Sequence, residues 1–349
     1  MSLAKSLDRA AYVAAQGARV AWYSAHYVLA RKISGPLVPK GERFAPQSGK
    51  PDPKGIRAAF LDLFAQDRAN IEAGLYPAPR DFNPVNLASA LNNSARFFAD
   101  LPRVDRRRLE RSATEVREET PRGDYPTYYL QNFHYQTGGW LTAESAQLYD
   151  TQVEVLFAGA ADAMRRIGLG LFAQAMKGRD QRKTAVMDVA CGNGRFLAQM
   201  LEAFPRLKAR GLDLSPAYLD EARKRLAPWP HVHFIAGQAE AIPADDGALD
   251  AATCVYLFHE LPPRVRRSVA AELARVIKPG GAFVLVDSIQ AGERADLDRM
   301  LEYFPIGFHE PYFESYQRED LAALFGEAGF ALEETRHAFL TKAMLFRRS

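Results

Sequence analysis

Cysteine is nearly missing from this chain: of 349 residues, only Cys191 and Cys254 carry a thiol. Two thiols cannot build a disulfide framework, and no Cys/His spacing matches a zinc site, so no metal is expected. A reducing compartment, the cytoplasm, is the expected location. Long apolar runs are missing too. The uncharged stretch from Val20 to Ala30 is too short to cross a bilayer. It also lacks the apolar core and cleavage pattern of a secretory signal. Nor does one sign of charge dominate. A formal net charge of +3 is too small to imply nucleic acid as a partner. The excess is uneven, since residues 1–60 hold ten Lys/Arg against three Asp/Glu. Lys5, Arg9, Arg19, Arg31 and Lys32 alternate there with Trp22, Tyr23 and Tyr27. Residues 1–33 are therefore expected to form an arm for homodimer or intrachain contact, with peripheral contact to a membrane surface as the alternative.

What is present is an ordinary globular composition, 48% hydrophobic and 25% charged, long enough for more than one domain. Residues 5–33 read as a helix, followed by a Pro/Gly/Lys-rich connector from Lys40 to Pro53. The 3.6-residue spacing of Ile56, Ala59, Phe60, Leu63 and Phe64 predicts a second helix over Ile56–Ala73. A third is expected from the Asn83 cap and Pro84 to Phe98, and a fourth over Val104–Glu119. After an aromatic-rich stretch ending at Trp140, a helix is expected from Ala143 to Arg166 and a shorter one to Met176.

From Thr184 the pattern changes. Apolar, β-rich runs at Ala185–Val189, Ala209–Leu212, Val232–Ile235, Ala251–Val255 and Ala282–Val286 alternate with helical segments. Such alternation implies βαβ units and a parallel sheet covered on both faces. The expected organisation is an all-helical N-terminal domain (1–125), a lid with linking helices (126–180) and an α/β core (181–349).

The first strand runs into Ala190-Cys-Gly-Asn-Gly194 and then a helix. Glycines there allow a sharp turn and close approach of a ligand to the backbone. About twenty residues on, the second strand ends in Gly211-Leu-Asp213-Leu-Ser215. A carboxylate at that spacing accepts hydrogen bonds from the ribose hydroxyls of an adenosine cofactor. Leu197 stands where a dinucleotide fingerprint wants a third glycine, which disfavours a nicotinamide dehydrogenase, the enzymatic rival.

These segments resemble the motifs of class I S-adenosylmethionine (SAM)-dependent methyltransferases. Asp188-x-x-Cys-Gly-x-Gly194 is similar to their first motif, with Ala190 where many members have Gly. Gly211–Ser215 resembles the second-strand motif, Gly237–Pro243 the segment bordering the adenine, and Arg275–Gly281 the turn before strand five. The resemblance covers residues 184–349 and includes small-molecule enzymes of ubiquinone and menaquinone biosynthesis. It implies a Rossmann-like α/β core with a mostly parallel seven-stranded sheet, the last strand antiparallel, with Phe339–Arg347 as the late strand. It also implies SAM contacts at Asp188, Ala190, Cys191, Gly192, Gly194, Asp213, Leu214, Gln238, Ala239 and Tyr256. Gln238 replaces the usual Asp, but its amide can still pair with the adenine amino group.

Methyl transfer requires an oriented nucleophile, exclusion of water and, for a protonated nucleophile, a base. Three clusters are expected to supply these without metal. His259, with Glu260 beside it, follows the fourth strand; a neutral imidazole there would take a proton near pH 7. His309 and Glu310 lie in an aromatic insertion with Tyr303 and Tyr312. His134, Tyr135 and Gln136 belong to a lid hinged at Gly138-Gly139, with Tyr149 on the next helix. His134, His259 and His309 are the catalytic candidates. Tyr135, Gln136, Tyr149, Tyr303, Glu310 and Tyr312 are the candidate substrate contacts. The expected function is methylation of a small aromatic or apolar acceptor on O or C. The alternatives are a lipid-like acceptor at the membrane surface and a non-catalytic SAM-binding protein.

Overall fold

Alanine-rich sequence loses little side-chain entropy in a helix, and the chain opens on one: α1 (Leu3–Ile33), with Arg31 and Lys32 against the negative end of its dipole. The computed structural model describes residues 3–36, 38–79, 87–120 and 125–349, with side chains from residue 8 onward. The Asn83 cap and Pro84, and the side chain of Lys5, lie outside them. Helix α2 (Pro53–Glu72) starts under Asp52, whose side chain accepts from the Lys54 N–H at 3.0 Å.

Helix α3 (Leu87–Glu110) corrects the expectation of two helices ending at Phe98 and starting at Val104, because it runs through Pro102 without a break. Its apolar face carries on across the proline: Phe97 is buried with Ala30, Leu148 and Val155, and Leu101 packs on the same cluster. That packing offsets the one backbone hydrogen bond a proline removes. The expected fourth helix is thus divided between the end of α3 and the short α4 (Glu115–Glu119).

A second correction concerns Ala143–Arg166. It divides into α5 (Ala143–Leu156) and α6 (Ala161–Ala175), because Ala158 and Gly159 take left-handed conformations at φ 50° and 83°. A side chain at Gly159 would come within 3.0 Å of the Arg19 carbonyl oxygen. The break therefore seats α1 against α5.

The α/β part follows as β1 (Ala185–Val189), α7 (Arg195–Ala203), β2 (Lys208–Asp213), α8 (Pro216–Arg225), β3 (His233–Ala236), β4 (Leu249–Val255), α9 (Pro263–Val276) and β5 (Ile277–Ser288). Three helices then cross the surface: α10 (Asp298–Gly307), α11 (Phe313–Tyr316) and α12 (Leu321–Glu327). A hairpin of β6 (Phe330–Ala338) and β7 (Thr341–Arg348) closes the chain. The expected late strand at Phe339–Arg347 is thus two residues too early, since Phe339, at φ 53°, belongs to the turn.

The seven strands form one sheet in the order β3-β2-β1-β4-β5-β7-β6. The first five are parallel, and β7 runs antiparallel to both neighbours. Alternate residues serve opposite faces. Val186, Ala209, Ala251, Val284 and Val286 pack beneath α6, α7 and α2, while Met187, Val189, Leu212, Ala252, Cys254 and Phe283 face α9 and α12. Helix α6 lies so close to the sheet that a Cβ on Gly168 would stand 2.1 Å from Val286 Cγ2.

The N-terminal helices are tied to this layer by buried charges. Asp67 of α2 pairs with Arg166 of α6 at 2.7 Å and accepts from the hydroxyls of Tyr12 and Tyr76. Arg19 of α1 reaches Glu154 at 2.6 Å and Asp162 at 2.5 Å. Among the described residues, no helix is long and apolar enough to cross a membrane.

Candidate functional site

The strand order reverses between β1 and β4, and loops leaving the carboxyl ends of such strands diverge to leave a crevice. After β1 the chain takes left-handed conformations at Ala190, Gly192 and Gly194 (φ 57°, 53° and 75°). Gly194 then caps α7, and its missing Cβ leaves room for Leu226 and Ala222. The loop is held to β2 by the Cys191 N–H, which donates to the Leu212 carbonyl at 2.9 Å.

Asp213, at the end of β2, is fixed by the backbone. Its carboxylate accepts from the Gly192 N–H at 2.7 Å and the Ser215 N–H at 2.8 Å. Burial pushes its pKa up to about 6, against the pull of those N–H donors. Gly211 is obligatory behind it, because a Cβ there would meet Cys191 Sγ at 2.8 Å and the Phe234 ring at 3.0 Å.

A cleft opens over these loops, partly exposed to solvent. Ala190, Gly192, Asp213, Leu214, Gln238, Ala239, Tyr256 and Tyr149 line it. Of the other expected cofactor contacts, three sit behind the lining. Asp188 is 1% exposed and accepts from the Thr253 hydroxyl at 2.7 Å, and burial raises its pKa to about 7. Cys191 and Gly194 shape the loop from beneath.

The aromatic stretch after residue 125 brings Tyr128, Tyr129 and Trp140 to the lining, and α8 adds Tyr218. Tyr128 donates to Glu240 Oε1 at 2.6 Å and so ties this stretch across the β3–β4 loop. Trp140, Tyr149 and Tyr218 meet edge to face within 5.8 Å. These linings were not among the expected contacts, although the crowding of aromatics before Trp140 is visible in the sequence. Tyr218 lacked such a signal: its hydroxyl pairs with Ser145 Oγ at 2.9 Å, a partner distant in the chain.

The substrate candidates divide. Tyr149 lines the cleft; Glu310 lies against His134, and neither it nor Tyr135, Gln136, Tyr303 and Tyr312 is among the cleft-lining residues. Gln136 is buried and donates to the Gly139 carbonyl at 2.6 Å, bracing the Gly138-Gly139 turn. Tyr135 accepts from Arg111 at 3.1 Å, Tyr303 packs edge-on against Phe44, and the Tyr312 hydroxyl accepts from Gln131.

The three histidines occupy different settings. His259 Nδ1 lies 2.6 Å from Asp287 Oδ1, while the other Asp287 oxygen accepts from the Phe258 N–H. Asp287 therefore orients the ring. Burial opposes a charge on His259, but Asp287 overcomes it and pushes the pKa up to about 10. Asp287 thus favours the protonated ring, whereas the sequence led to the expectation of a neutral base. His309 Nε2 stands 2.7 Å from Gln131 Oε1, whose own amide nitrogen donates to Tyr128 and Tyr312. An amide oxygen only accepts, so His309 carries its proton on Nε2 and leaves Nδ1 as a lone pair. Burial lowers its pKa, which keeps it neutral. His134 touches Glu310 and is boxed by Trp140, Phe304 and Phe308. Glu260 lines the cleft and stands 3.9 Å from His259 Nε2, with burial raising its pKa well above the usual carboxylate range.

Comparison with known proteins bears on the α/β part. Residues 186–281 match the model of a methyltransferase domain family. A demethylmenaquinone methyltransferase of Deinococcus radiodurans is 33% identical over 146 residues, 42% of this chain and 57% of that protein. A ubiquinone/menaquinone biosynthesis C-methyltransferase of Desulfotalea psychrophila is 31% identical over 159 residues, 46% of this chain and 61% of that protein. The match thus spans less than two thirds of either relative. Motifs, strand order and these likenesses agree: the α/β part of this chain is similar to class I methyltransferase domains.

Proposed function

We propose that the chain transfers a methyl group from SAM to a small aromatic acceptor, on O or C, as a cytoplasmic enzyme. The observation that carries this reading is Asp213: a carboxylate locked by two backbone N–H groups in a cleft floored by left-handed backbone. This arrangement fits an adenosine moiety, with Asp213 for the ribose hydroxyls, Gln238 for the adenine edge and the backbone of Ala190 and Gly192 for the remainder. SAM supplies an electrophilic methyl whose leaving group is a neutral thioether. The protein's share is to orient the acceptor, exclude water beneath Tyr128, Tyr129 and Trp140, and take up a proton. The aromatic walls favour a planar acceptor; His134, His259 and His309 all stand outside the cleft lining, so we assign the base to none of them. The quinone-pathway names of the relatives support the same class.

Calorimetry with SAM and with NAD tests the cofactor. SAM is expected to bind and NAD not, and Asp213→Ala should cost about 1–3 kcal/mol of SAM affinity. NAD binding without SAM binding would return the dehydrogenase reading. Release of S-adenosylhomocysteine with a panel of hydroxylated naphthalenes tests catalysis, and tight SAM binding with no release across the panel would mark a non-catalytic SAM-binding protein.

A second reading concerns where the enzyme works. Helix α1 leaves Val13, Tyr27, Val28, Leu29 and Ile33 exposed beside its basic residues, which suits a lipid-like acceptor at a membrane surface or a second copy of the chain. Deleting residues 1–33 would remove the buried Arg19 pairs as well, so the surface pair Val28→Glu with Leu29→Glu is the sharper probe. Flotation with anionic vesicles should be lost in that variant if the helix meets lipid. Loss of a dimer in sedimentation, with vesicle binding unchanged, would assign the face to self-association.

A further inference from the structure

We propose that His134, His259, Glu260 and Glu310 form a binding site for one divalent transition-metal ion beside the cleft. Each offers one ligand atom, and all four atoms lie within 4.8 Å of one another. Ligands about one ion at roughly 2.0–2.2 Å stand about 3–4.4 Å apart, so small side-chain movements complete the set.

Two further observations point to a cation. The Glu310 side chain has no solvent exposure, and neither of its carboxylate oxygens has a hydrogen-bond partner; its contact with His134 Nε2 lacks hydrogen-bond geometry. A buried carboxylate is costly unless it is paired and hydrogen-bonded or holds a metal. His259, for its part, has Nδ1 turned to Asp287, leaving Nε2 toward Glu260. A carboxylate behind one ring nitrogen, with the other facing a cluster of acids, is how proteins orient a metal-ligating imidazole. A bound ion takes the place of the proton on Nε2.

Two imidazole nitrogens with two carboxylate oxygens suit Zn²⁺, Co²⁺ or Mn²⁺ better than Mg²⁺, which prefers oxygen alone. Glu260 belongs to both the cluster and the cleft lining, so an ion held here has an edge toward a bound acceptor oxygen. The site stands on its own geometry and does not depend on the acceptor.

The test is titration of the chelator-treated full chain with Co²⁺, followed by visible absorption, and with Zn²⁺ by calorimetry. One equivalent is expected, with Co²⁺ bands of mixed nitrogen and oxygen ligation. Glu310→Gln and His134→Gln should each weaken binding more than about a hundredfold, and the positioning change Asp287→Asn about ten- to a hundredfold. Glu260→Gln, at a partly exposed position, provides a variant expected to fold. No binding of either ion to the wild type would overturn the proposal, as would binding that Glu310→Gln and Glu260→Gln both leave unchanged. SAM binding in the absence of metal, measured in parallel, separates failure of this site from failure of the cofactor reading.

Discussion

At the end of β1, one carboxylate bears two opposed demands. Asp188 is buried, accepts from Thr253 through Oδ1, and leaves Oδ2 without a partner. Burial holds its pKa near 7, above the unfolded value of about 4, so folding takes up a proton between those limits. Its contribution to stability is therefore fullest below about pH 4, declines as pH rises, and levels off above pH 7. Asp188→Asn keeps the Thr253 acceptor and abolishes that slope. The variant should gain about 1–3 kcal/mol on the wild type as pH rises from 4 to 8, read from unfolding curves at both ends. Its affinity for the cationic SAM should fall. An equal pH slope in both proteins would refute the raised pKa. Asp213 was legible because one βα unit separates it from the glycine loop, so sequence spacing fixes its place. The proposed metal-ligand set was not: its members come from the segment before α5, the β4–α9 loop and the segment before α11, and no local spacing joins them.

Elements were legible where a single local pattern governed them. Ala185–Val189 is the expected strand without change, since a short apolar run between turn signals has few other solutions. Boundaries failed where a distant partner decided. Helix α3 crosses Pro102 because Phe97 and Leu101 pack on the same cluster as residues of α1 and α5. The α5–α6 break occurs because the chain must turn at Ala158-Gly159 under the Arg19 carbonyl. Likewise, the β6–β7 turn displaces the expected late strand, as pairing with β5 from Ala282 to Ser288 sets where β7 begins.

Over the whole molecule, the N-terminal helices and the α/β part are joined by charge as well as by apolar packing. Asp67 is wholly buried and binds Arg166 through both carboxylate oxygens, with two tyrosine hydroxyls completing the site. Asp67→Ala strips Arg166 of this partner and should cost about 3–5 kcal/mol, seen as a lower urea midpoint. SAM affinity of the folded variant should be unchanged, because Asp67 does not line the cleft. A midpoint equal to wild type would show that the pair contributes no net stability.

The sequence by itself determined the α/β class, the glycine loop after β1 and its distant carboxylate, because glycine conformation, strand period and the length of a βα unit are local quantities. Only the tertiary structure decided which aromatics cover the cleft, which acid orients His259, and that two histidines meet two glutamates beside it. Those are contacts between side chains far apart in the chain, and their energies exist only once the segments are packed.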